Sequence, residues 1–361
     1  MHIIAYMKNH KISMYKIAAT YIGTVVGAGF ASGQEILQFF AVFGGRGIIG
    51  LILVTVLFMV FGFIIMELGY RLKSESHLNI IKYSGGKYIG TLMDYIITFF
   101  LFGALTAMFA GSGAILAQQF GISCIWGNLI MAVAAAATVL TGIGGVVNSI
   151  SFIVPVLLIS ALGVSIGSVF IKPPSVEGMQ IAAAAGGLMR NWLWAAILYT
   201  SYNIILAIAV LGPLGSGAES GKAIRGGAVI GGLGLGISAG AIYFALAGNL
   251  NVLSGIEVPM AFIAGQISQA AQIAYALVLM LEIYTTAVGS LYGFAARIAG
   301  TNGRHTSLYI MGAALLAFAA SRFGFSNLVR YVYPVAGYAG LTILVSLLHA
   351  KLKGRFAIFG R

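Results

Sequence analysis

The first apolar segment of the chain contains the sequence Gly23-Thr24-Val25-Val26-Gly27-Ala28-Gly29-Phe30-Ala31-Ser32-Gly33-Gln34-Glu35. Each of its four glycines costs about 1 kcal/mol relative to alanine in a helix interior, so the cluster predicts an unwound stretch. The segment is long enough to cross a bilayer, where unpaired backbone groups are tolerated only if they line a cavity. Freed amides there would attract an anionic group, and freed carbonyls could hold a cation.

Two other interpretations of this stretch deserve comparison. Small residues could serve only close helix packing, but packing does not account for Gln34 and Glu35. The run Gly27-Ala28-Gly29 superficially suggests a dinucleotide fingerprint. That interpretation fails because no strand precedes the run and the spacing to Gly33 is wrong.

The composition places the whole chain in a membrane. Of the 361 residues, 60% are apolar and 8% are charged, against about 25% charged in soluble domains. Such a chain has too little polar surface to cover a soluble globule, which excludes a soluble enzyme, a disordered chain and a nucleic-acid binder. The single cysteine, Cys124, excludes an internal disulfide and a cysteine metal site.

Ten apolar runs are long enough to be candidate spans. They lie near Tyr15–Val42, Gly47–Tyr70, Tyr88–Phe120, Trp126–Thr141, Val147–Ile171, Arg190–Leu211, Gly226–Gly248, Ala270–Ala299, Ser307–Ser321 and Phe325–His349. We therefore predict an all-α integral membrane protein with ten transmembrane helices.

The basic residues predict the orientation of these spans. With a cytoplasmic N-terminus, 15 of the 20 Lys and Arg residues face inside, and five face outside: Arg46, Lys172, Arg190, Arg322 and Arg330. Since Lys and Arg near span ends are retained on the cytoplasmic side, this division favours a multi-pass protein of the cell membrane with both termini cytoplasmic.

Residues 1–361 form a single transmembrane domain in this reading, and it divides into two blocks of similar length. Spans one to five cover residues 15–171, and spans six to ten cover residues 190–349. Because five is odd, the second block enters the membrane from the opposite side, as an inverted repeat requires. Such a repeat predicts that spans one and six are both broken.

The sixth span carries the polar and aromatic run Tyr199-Thr200-Ser201-Tyr202-Asn203 near its middle. Its position corresponds to the glycine cluster of the first span, which predicts a binding site between the two. The aromatic rings could wall the site while Ser201 and Asn203 make polar contacts. An aromatic helix-packing face with hydrogen-bonded Ser and Asn is the alternative.

The eighth span places Glu282, Thr285, Thr286 and Gly289 on one helix face. An ionisable group inside a span is expensive and should face the protein interior or water. Hydroxyl and carbonyl oxygens suit a hard cation such as sodium, whereas Glu282 could instead carry a proton. A purely structural, protonated Glu282 bonded to a neighbouring helix is a further alternative.

These residues together resemble a known group of proteins. The glycine-rich motif of residues 23–35, the run Tyr199–Asn203 and the ten-span length are similar to the YkvI-like amino acid permease family of the amino acid-polyamine-organocation superfamily. The resemblance covers most of the chain and implies the LeuT-type fold, a five-plus-five inverted repeat with helices 1 and 6 broken. It does not fix the substrate.

The resemblance also implies a cation site. In sodium-coupled members of the fold, one ion lies between first-span carbonyls and a pair of eighth-span hydroxyls. The matching positions here are the carbonyls of Gly23 and Val26, the hydroxyls of Thr285 and Thr286, and the carbonyl of Glu282. The fifth span has no lysine to replace that ion, and the second sodium site of some relatives is not expected because Phe30 stands at its asparagine position.

We therefore predict a secondary active transporter of a small amino-acid-like solute, an amino acid or amine, that works by alternating access and is coupled to sodium rather than to a proton. A bound sodium ion would accompany the solute, and no other cofactor is expected. Glu35 would contact the solute or couple a proton. The predicted solute-binding residues are Gly27, Ala28, Gly29, Ser32, Glu35, Tyr199, Ser201, Tyr202 and Asn203.

Two rival functions remain open at the level of sequence: a passive channel or facilitator, and a non-transporting membrane receptor with the same fold. An enzyme is not expected, because no histidine, cysteine or carboxylate pair has catalytic spacing.

Overall fold

The computed structural model describes residues 11–74, 77–141, 153–174, 179, 189, 191–299 and 306–356. Within these ranges nearly the whole chain is helical, and a single β-bridge joins Ile12 to Ala218. An apolar chain in lipid can satisfy its backbone N–H and C=O groups within one segment only as a helix, which accounts for this architecture.

We number the α-helices of the described residues in chain order. They are α1 Met14–Val25, α2 Ala28–Ala31, α3 Gln34–Phe39, α4 Gly45–Leu72, α5 His77–Phe120, α6 Cys124–Leu140, α7 Ile153–Ile171, α8 Trp192–Ser216, α9 Gly221–Ala247, α10 Pro259–Ile267, α11 Gln269–Ala299, α12 Thr306–Ala320 and α13 Phe325–Phe356. The chain turns within α5 at Gly86, whose φ of 71° favours glycine.

Seven segments of the described residues are long and apolar enough to cross a membrane. They are Gly45–Leu72, Gly90–Phe120, Trp192–Ser216, Gly221–Ala247, Gln269–Ile298, Thr306–Phe323 and Phe325–Leu352. The shorter apolar helices α6 and α7 match the fourth and fifth predicted spans, and residues 147–152 of the fifth lie outside the described ranges. The all-helical architecture is confirmed, whereas the count of ten spans and the inverted repeat stay predictions.

The first predicted span is broken, as the glycine cluster indicates. Helix α1 ends at Val25, and the backbone is extended at Val26 and Gly27 before α2 begins at Ala28. The chain therefore leaves helical geometry in the middle of an apolar run.

The sixth predicted span is not broken, and this part of the expectation is wrong. Helix α8 runs without interruption from Trp192 to Ser216, through the whole polar run. Two of the polar side chains bond carbonyls one turn earlier: Thr200 Oγ1 donates to Ala196 O (3.0 Å) and Asn203 Nδ2 to Tyr199 O (2.9 Å). Because these bonds form within a regular helix, the polar residues do not unwind it.

Glycines allow α9 to pack closely against α1 and α4. A Cβ at Gly231 would overlap the ring of Tyr21, and Cβ atoms at Gly232 and Gly236 would overlap Met59 and Thr55. The register of these contacts shows that α4 and α9 are antiparallel. The Gly231–Gly236 run is therefore a packing surface, as small residues at helix interfaces commonly are.

Contacts at the helix ends define one face of the molecule. There, Ile12 N donates to Gly217 O (2.9 Å), and the end of α4 packs against α8 where a Cβ at Gly69 would overlap Gly212. This face carries Lys11, Arg71, Lys73, Lys222 and Arg225. Their grouping agrees with the predicted cytoplasmic side, and the orientation of the termini stays a prediction.

Candidate functional site

The break between α1 and α2 leaves backbone groups without helical partners. Val26 N donates to Ile22 O, and the next backbone bond in the described chain runs from Ala31 N to Gly27 O. The carbonyls of residues 23–26 and the amides of residues 27–30 lie between these two bonds. A Cβ at Gly27 would have no atom within 4 Å, so the break has open space beside it. Both polar ends of the backbone are thus available to a ligand.

A second turn follows at Ser32 and Gly33 and separates α2 from α3. Gly33 has a φ of 83°, which favours glycine. The Ser32 hydroxyl donates to Gly29 O (2.8 Å) and accepts from Gln34 N (3.2 Å). The predicted solute-binding hydroxyl of Ser32 is therefore engaged by the backbone of its own turn.

Helix α10 lies directly over this turn. Met260 N donates to Ser32 O (2.9 Å), and a Cβ at Gly33 would meet Met260 Cγ at 2.8 Å. Most of α10 is buried, and these contacts make it a cover for the turn.

Glu35 is the acidic group at the centre of the site. Tyr202 OH donates to Glu35 Oε2 at 2.6 Å, and Glu35 is 6% exposed. Its other oxygen, Oε1, lies against Gly29, where a Cβ would overlap it. No Lys, Arg or His among the described residues forms an ion pair with Glu35. A buried carboxylate without a cationic partner is costly, so a bound cation or proton is the expected complement.

Aromatic rings surround the Glu35–Tyr202 pair. The ring centroids of Tyr199 and Tyr202 are 5.3 Å apart, and Tyr202 also lies 5.1 Å from Tyr333. The remaining rings in contact with these tyrosines are Phe39, Phe40, Phe58 and Phe100, at centroid distances of 4.9–6.0 Å. The faces of such rings attract cations, so the cluster suits a positively charged group beside the carboxylate.

The hydrogen bonds of Ser201 and Asn203 go to backbone carbonyls. Ser201 Oγ donates to Gly337 O of α13 (2.7 Å), and Asn203 bonds Tyr199 O within α8. Both side chains are buried. Their recorded contacts therefore fit the alternative reading of hydrogen-bonded packing residues better than direct solute contacts.

The eighth-span residues form a second polar group on α11. Thr285 Oγ1 donates to the Glu282 carbonyl (3.0 Å), and Thr286 Oγ1 donates to Glu282 Oε1 (3.3 Å). Glu282 Oε2 is buried and has no hydrogen-bond partner among the described residues. The structure records no hydrogen bond from this group to Gly23 or Val26. Helix α11 reaches the broken span through Tyr275, whose hydroxyl donates to Ala31 O (2.5 Å).

A loop before α10 closes one end of the site. Gln34 Nε2 donates to Ile256 O (2.8 Å) and to Ser326 Oγ (2.8 Å), and Glu257 Oε2 accepts from Ser326 N (2.7 Å). Gln118 forms a two-way pair with the backbone of Val258. The broken span, the loop and α13 are thus joined at this end.

Sequence reasoning missed several residues of the site. The ring of Tyr333 and the amide of Gln118 come from spans ten and three, where no local pattern distinguishes them from other aromatic and polar residues. Gln34 carried a signal, since a polar side chain beside Glu35 in an apolar run is unusual. Only the packing of distant helices identifies the others.

Comparisons with solved structures identify the fold. The Mhp1 transporter of the nucleobase-cation-symport-1 family, in a closed conformation with bromovinylhydantoin, matches with a TM-score of 0.59 at 15% identity, covering 91% of this chain and 75% of Mhp1. MhsT in complex with L-phenylalanine matches at 0.58 and 15%, with 93% and 87% covered. A Na⁺-coupled sialic acid symporter matches at 0.58 and 13%, with 94% and 90% covered. The chain therefore has the LeuT-type fold of these proteins.

No family model matches the sequence. The uncharacterized membrane protein YkvI of Bacillus subtilis (strain 168) is 30% identical over 349 residues, covering 97% of this chain and 99% of YkvI. The uncharacterized protein YyaD of the same organism is 28% identical over 332 residues, covering 91% and 94%. The resemblance seen in the sequence is confirmed, and the chain belongs to the YkvI family of multi-pass membrane proteins with the LeuT-type fold.

Proposed function

We propose that this protein is a secondary active transporter that moves a small amino-acid-like solute by alternating access, coupled to a cation, with sodium favoured over a proton. The observation that carries the proposal is the broken first span, whose amides and carbonyls lack helical partners and whose Gly29 lies against Glu35 Oε1. The three solved structures named above are a nucleobase-cation symporter, a protein in complex with L-phenylalanine and a Na⁺-coupled symporter, which favours this function. We also propose that the protein has ten transmembrane helices arranged as a five-plus-five inverted repeat.

The charges around the break suggest how an amino acid would lie. Because Glu35 Oε1 lies against Gly29, we place the ammonium group of the solute there. Its carboxylate would take the free amides of Gly27 and Ala28, and its side chain would face Tyr199 and Tyr202. The rings now pack on one another, so this arrangement requires them to separate when the solute enters.

The coupling ion would bind at the Glu282 group. The carbonyls of Gly23 and Val26 lack helical partners, and the hydroxyls of Thr285 and Thr286 lie on one face of α11. These neutral oxygens suit sodium, and the unpaired Oε2 of Glu282 would add a negative charge. Closing the space between α1 and α11 around the ion would favour one conformation over the other, which is how an ion gradient can drive solute uptake.

Flux measurements in liposomes test the proposal. Purified full-length protein should accumulate one or more members of a labelled amino-acid and amine panel under an inward sodium gradient, and Thr286→Ala should abolish the sodium dependence. Thr342→Ala is the matched control, because the Thr342 hydroxyl also bonds within its own helix, to Ala339 O, but lies on α13 away from the proposed ion site.

Each alternative function has its own outcome in this assay. Flux that ignores both sodium and proton gradients would indicate a passive channel or facilitator, and saturable binding without flux would indicate a receptor. Accumulation that follows a proton gradient and is lost in Glu282→Gln would indicate that the coupling ion is a proton and not sodium. An absence of flux for the whole panel under both gradients would refute transport of this solute class.

A further inference from the structure

A cavity lies between the end of α4 and the start of α9, away from the proposed solute site. Its volume is about 470 Å³. It is lined by Phe63, Glu67, Tyr70 and Arg71 of α4 and by Gly221, Lys222, Ile224 and Arg225 of α9. The function proposed above makes no use of this cavity.

The cavity has an excess of positive charge. Arg71, Lys222 and Arg225 supply three cations to its lining, and Glu67 is the single acid there. Glu67 is already committed, since one of its oxygens pairs with Arg71 and the other with Lys351. In the described part of the chain, neither Lys222 nor Arg225 forms an ion pair. A group that binds here should therefore be an anion.

The cavity lies at the level of the lipid headgroups. Helix α4 has 28 residues and rises roughly 42 Å, which exceeds the ~30 Å hydrocarbon core. Its last turns, with Tyr70 and Arg71, should therefore lie at the membrane surface, next to the first turn of the antiparallel α9. Toward the middle of the membrane, Val60 and Val229 are exposed apolar side chains on the same two helices.

We propose that this cavity binds the phosphate group of an anionic phospholipid, whose acyl chains lie on the exposed apolar side chains of α4 and α9. The phosphate would contact Lys222 and Arg225, and the ring of Tyr70 would lie at the level of the glycerol. An anionic lipid fits better than a soluble phosphate because the cationic lining continues directly into lipid-facing apolar surface. Basic pockets between membrane helices are a recurrent way to hold such headgroups.

Native mass spectrometry of the full-length protein tests this proposal. The wild type should retain phosphatidylglycerol in preference to phosphatidylcholine with the same acyl chains. The double variant Lys222→Gln/Arg225→Gln should bind phosphatidylglycerol with an affinity lower by about tenfold or more, because two cations are lost. Glu67→Gln should shift binding the other way, since it removes the only acid of the lining and the negative charge that pairs with Arg71.

The controls separate this site from general surface charge and from misfolding. Arg322→Gln/Arg330→Gln removes two exposed cations elsewhere and should bind phosphatidylglycerol as the wild type does. Lys222 and Arg225 are exposed, so the melting temperature of their double variant in phosphatidylcholine should equal that of the wild type. Equal phosphatidylglycerol binding by wild type and double variant would overturn the proposal. Displacement of the lipid by millimolar inorganic phosphate would instead indicate a site for soluble anions and would overturn the lipid assignment.

Discussion

Gly29 makes room for the buried carboxylate that we place at the centre of the site. A Cβ on residue 29 would overlap Glu35 Oε1, and the packed surroundings of Glu35 limit how far its carboxylate can move. Gly29→Ala should therefore lower stability by about 1–3 kcal/mol, the usual cost of overpacking. The measurement is the apparent melting temperature of the purified protein in detergent.

Gly27→Ala is the control for that substitution. Residue 27 has an extended backbone at φ −121°, and its Cβ would have no neighbour within 4 Å. The melting temperature of the Gly27→Ala variant should stay near that of the wild type. Equal losses in both variants would mean that the break needs glycine for its backbone alone, and that the position of Glu35 does not depend on Gly29.

Glu35 and Tyr202 show where residue-level reading of the sequence stops. A carboxylate beside a glycine cluster marks a candidate site in one apolar run, and a tyrosine beside Ser and Asn marks another. The hydrogen bond that joins them spans 167 positions in sequence. No local pattern predicts such a pair, because it depends on how α3 and α8 pack.

At the scale of helices, α9 depends on glycine where it crosses α1. A Cβ at Gly231 would overlap the buried ring of Tyr21, whose hydroxyl also donates to Phe58 O (2.7 Å). Gly231→Ala should therefore separate α9 from α1 and lower the melting temperature by several degrees, in keeping with about 1–3 kcal/mol of overpacking.

Gly240→Ala is the control, because it makes the same substitution on α9 at a position that does not contact another helix. A Cβ there would meet no atom within 4 Å, and alanine is the better helix former. Its melting temperature should equal or slightly exceed the wild-type value. A loss as large as that of Gly231→Ala would show that α9 needs glycine flexibility and not close approach.

The two broken-helix predictions had opposite outcomes, and the residues of each span account for its outcome. In the first span, glycines lower helix propensity with no side chain to compensate, and the helix breaks at Gly27. In the sixth span, Thr200 and Asn203 satisfy their polar groups on carbonyls of α8 itself, so the helix continues. Polar residues in a span are therefore not enough to predict a break.

At the scale of the whole molecule, a half-buried histidine at the start of α5, outside the membrane-spanning segments, bonds to α11. Arg297 Nη2 donates to His77 Nε2 (2.7 Å), and Arg297 also pairs with Asp94. Burial and the Arg297 guanidinium lower the pKa of His77 from 6.5 to about 4, although Asp94 opposes the shift. Between these two pKa values the unfolded chain binds a proton that the folded protein does not, so stability falls as the pH falls from about 6.5 to 4.

His77→Gln should remove part of that acid sensitivity. Glutamine can still accept from Arg297 but does not titrate, so the variant should lose less stability than the wild type between pH 6.5 and 4. Melting temperatures across this range check the expectation, with His349→Gln as the control. Identical pH profiles for wild type and His77→Gln would assign the acid sensitivity to other groups.

The predicted orientation can be read from the single cysteine. Cys124 is exposed at the start of α6, which the span count places outside the cell. A membrane-impermeant maleimide should label it in intact cells. Lys222→Cys in a Cys124→Ser background should react only after permeabilisation, and the reverse pattern would invert the topology.

The sequence alone determined the membrane location, the all-helical architecture, the break at Gly27 and the family. These features follow from local chemistry: long apolar runs must satisfy their own backbone in lipid, and glycines lower the helix propensity of the segment that contains them. Only the tertiary structure decided that α8 is continuous, that Glu35 meets Tyr202 within a cluster of rings, and that Ser201 bonds to α13. These depend on which faces of distant helices come together, and that is fixed by the packing of the whole molecule.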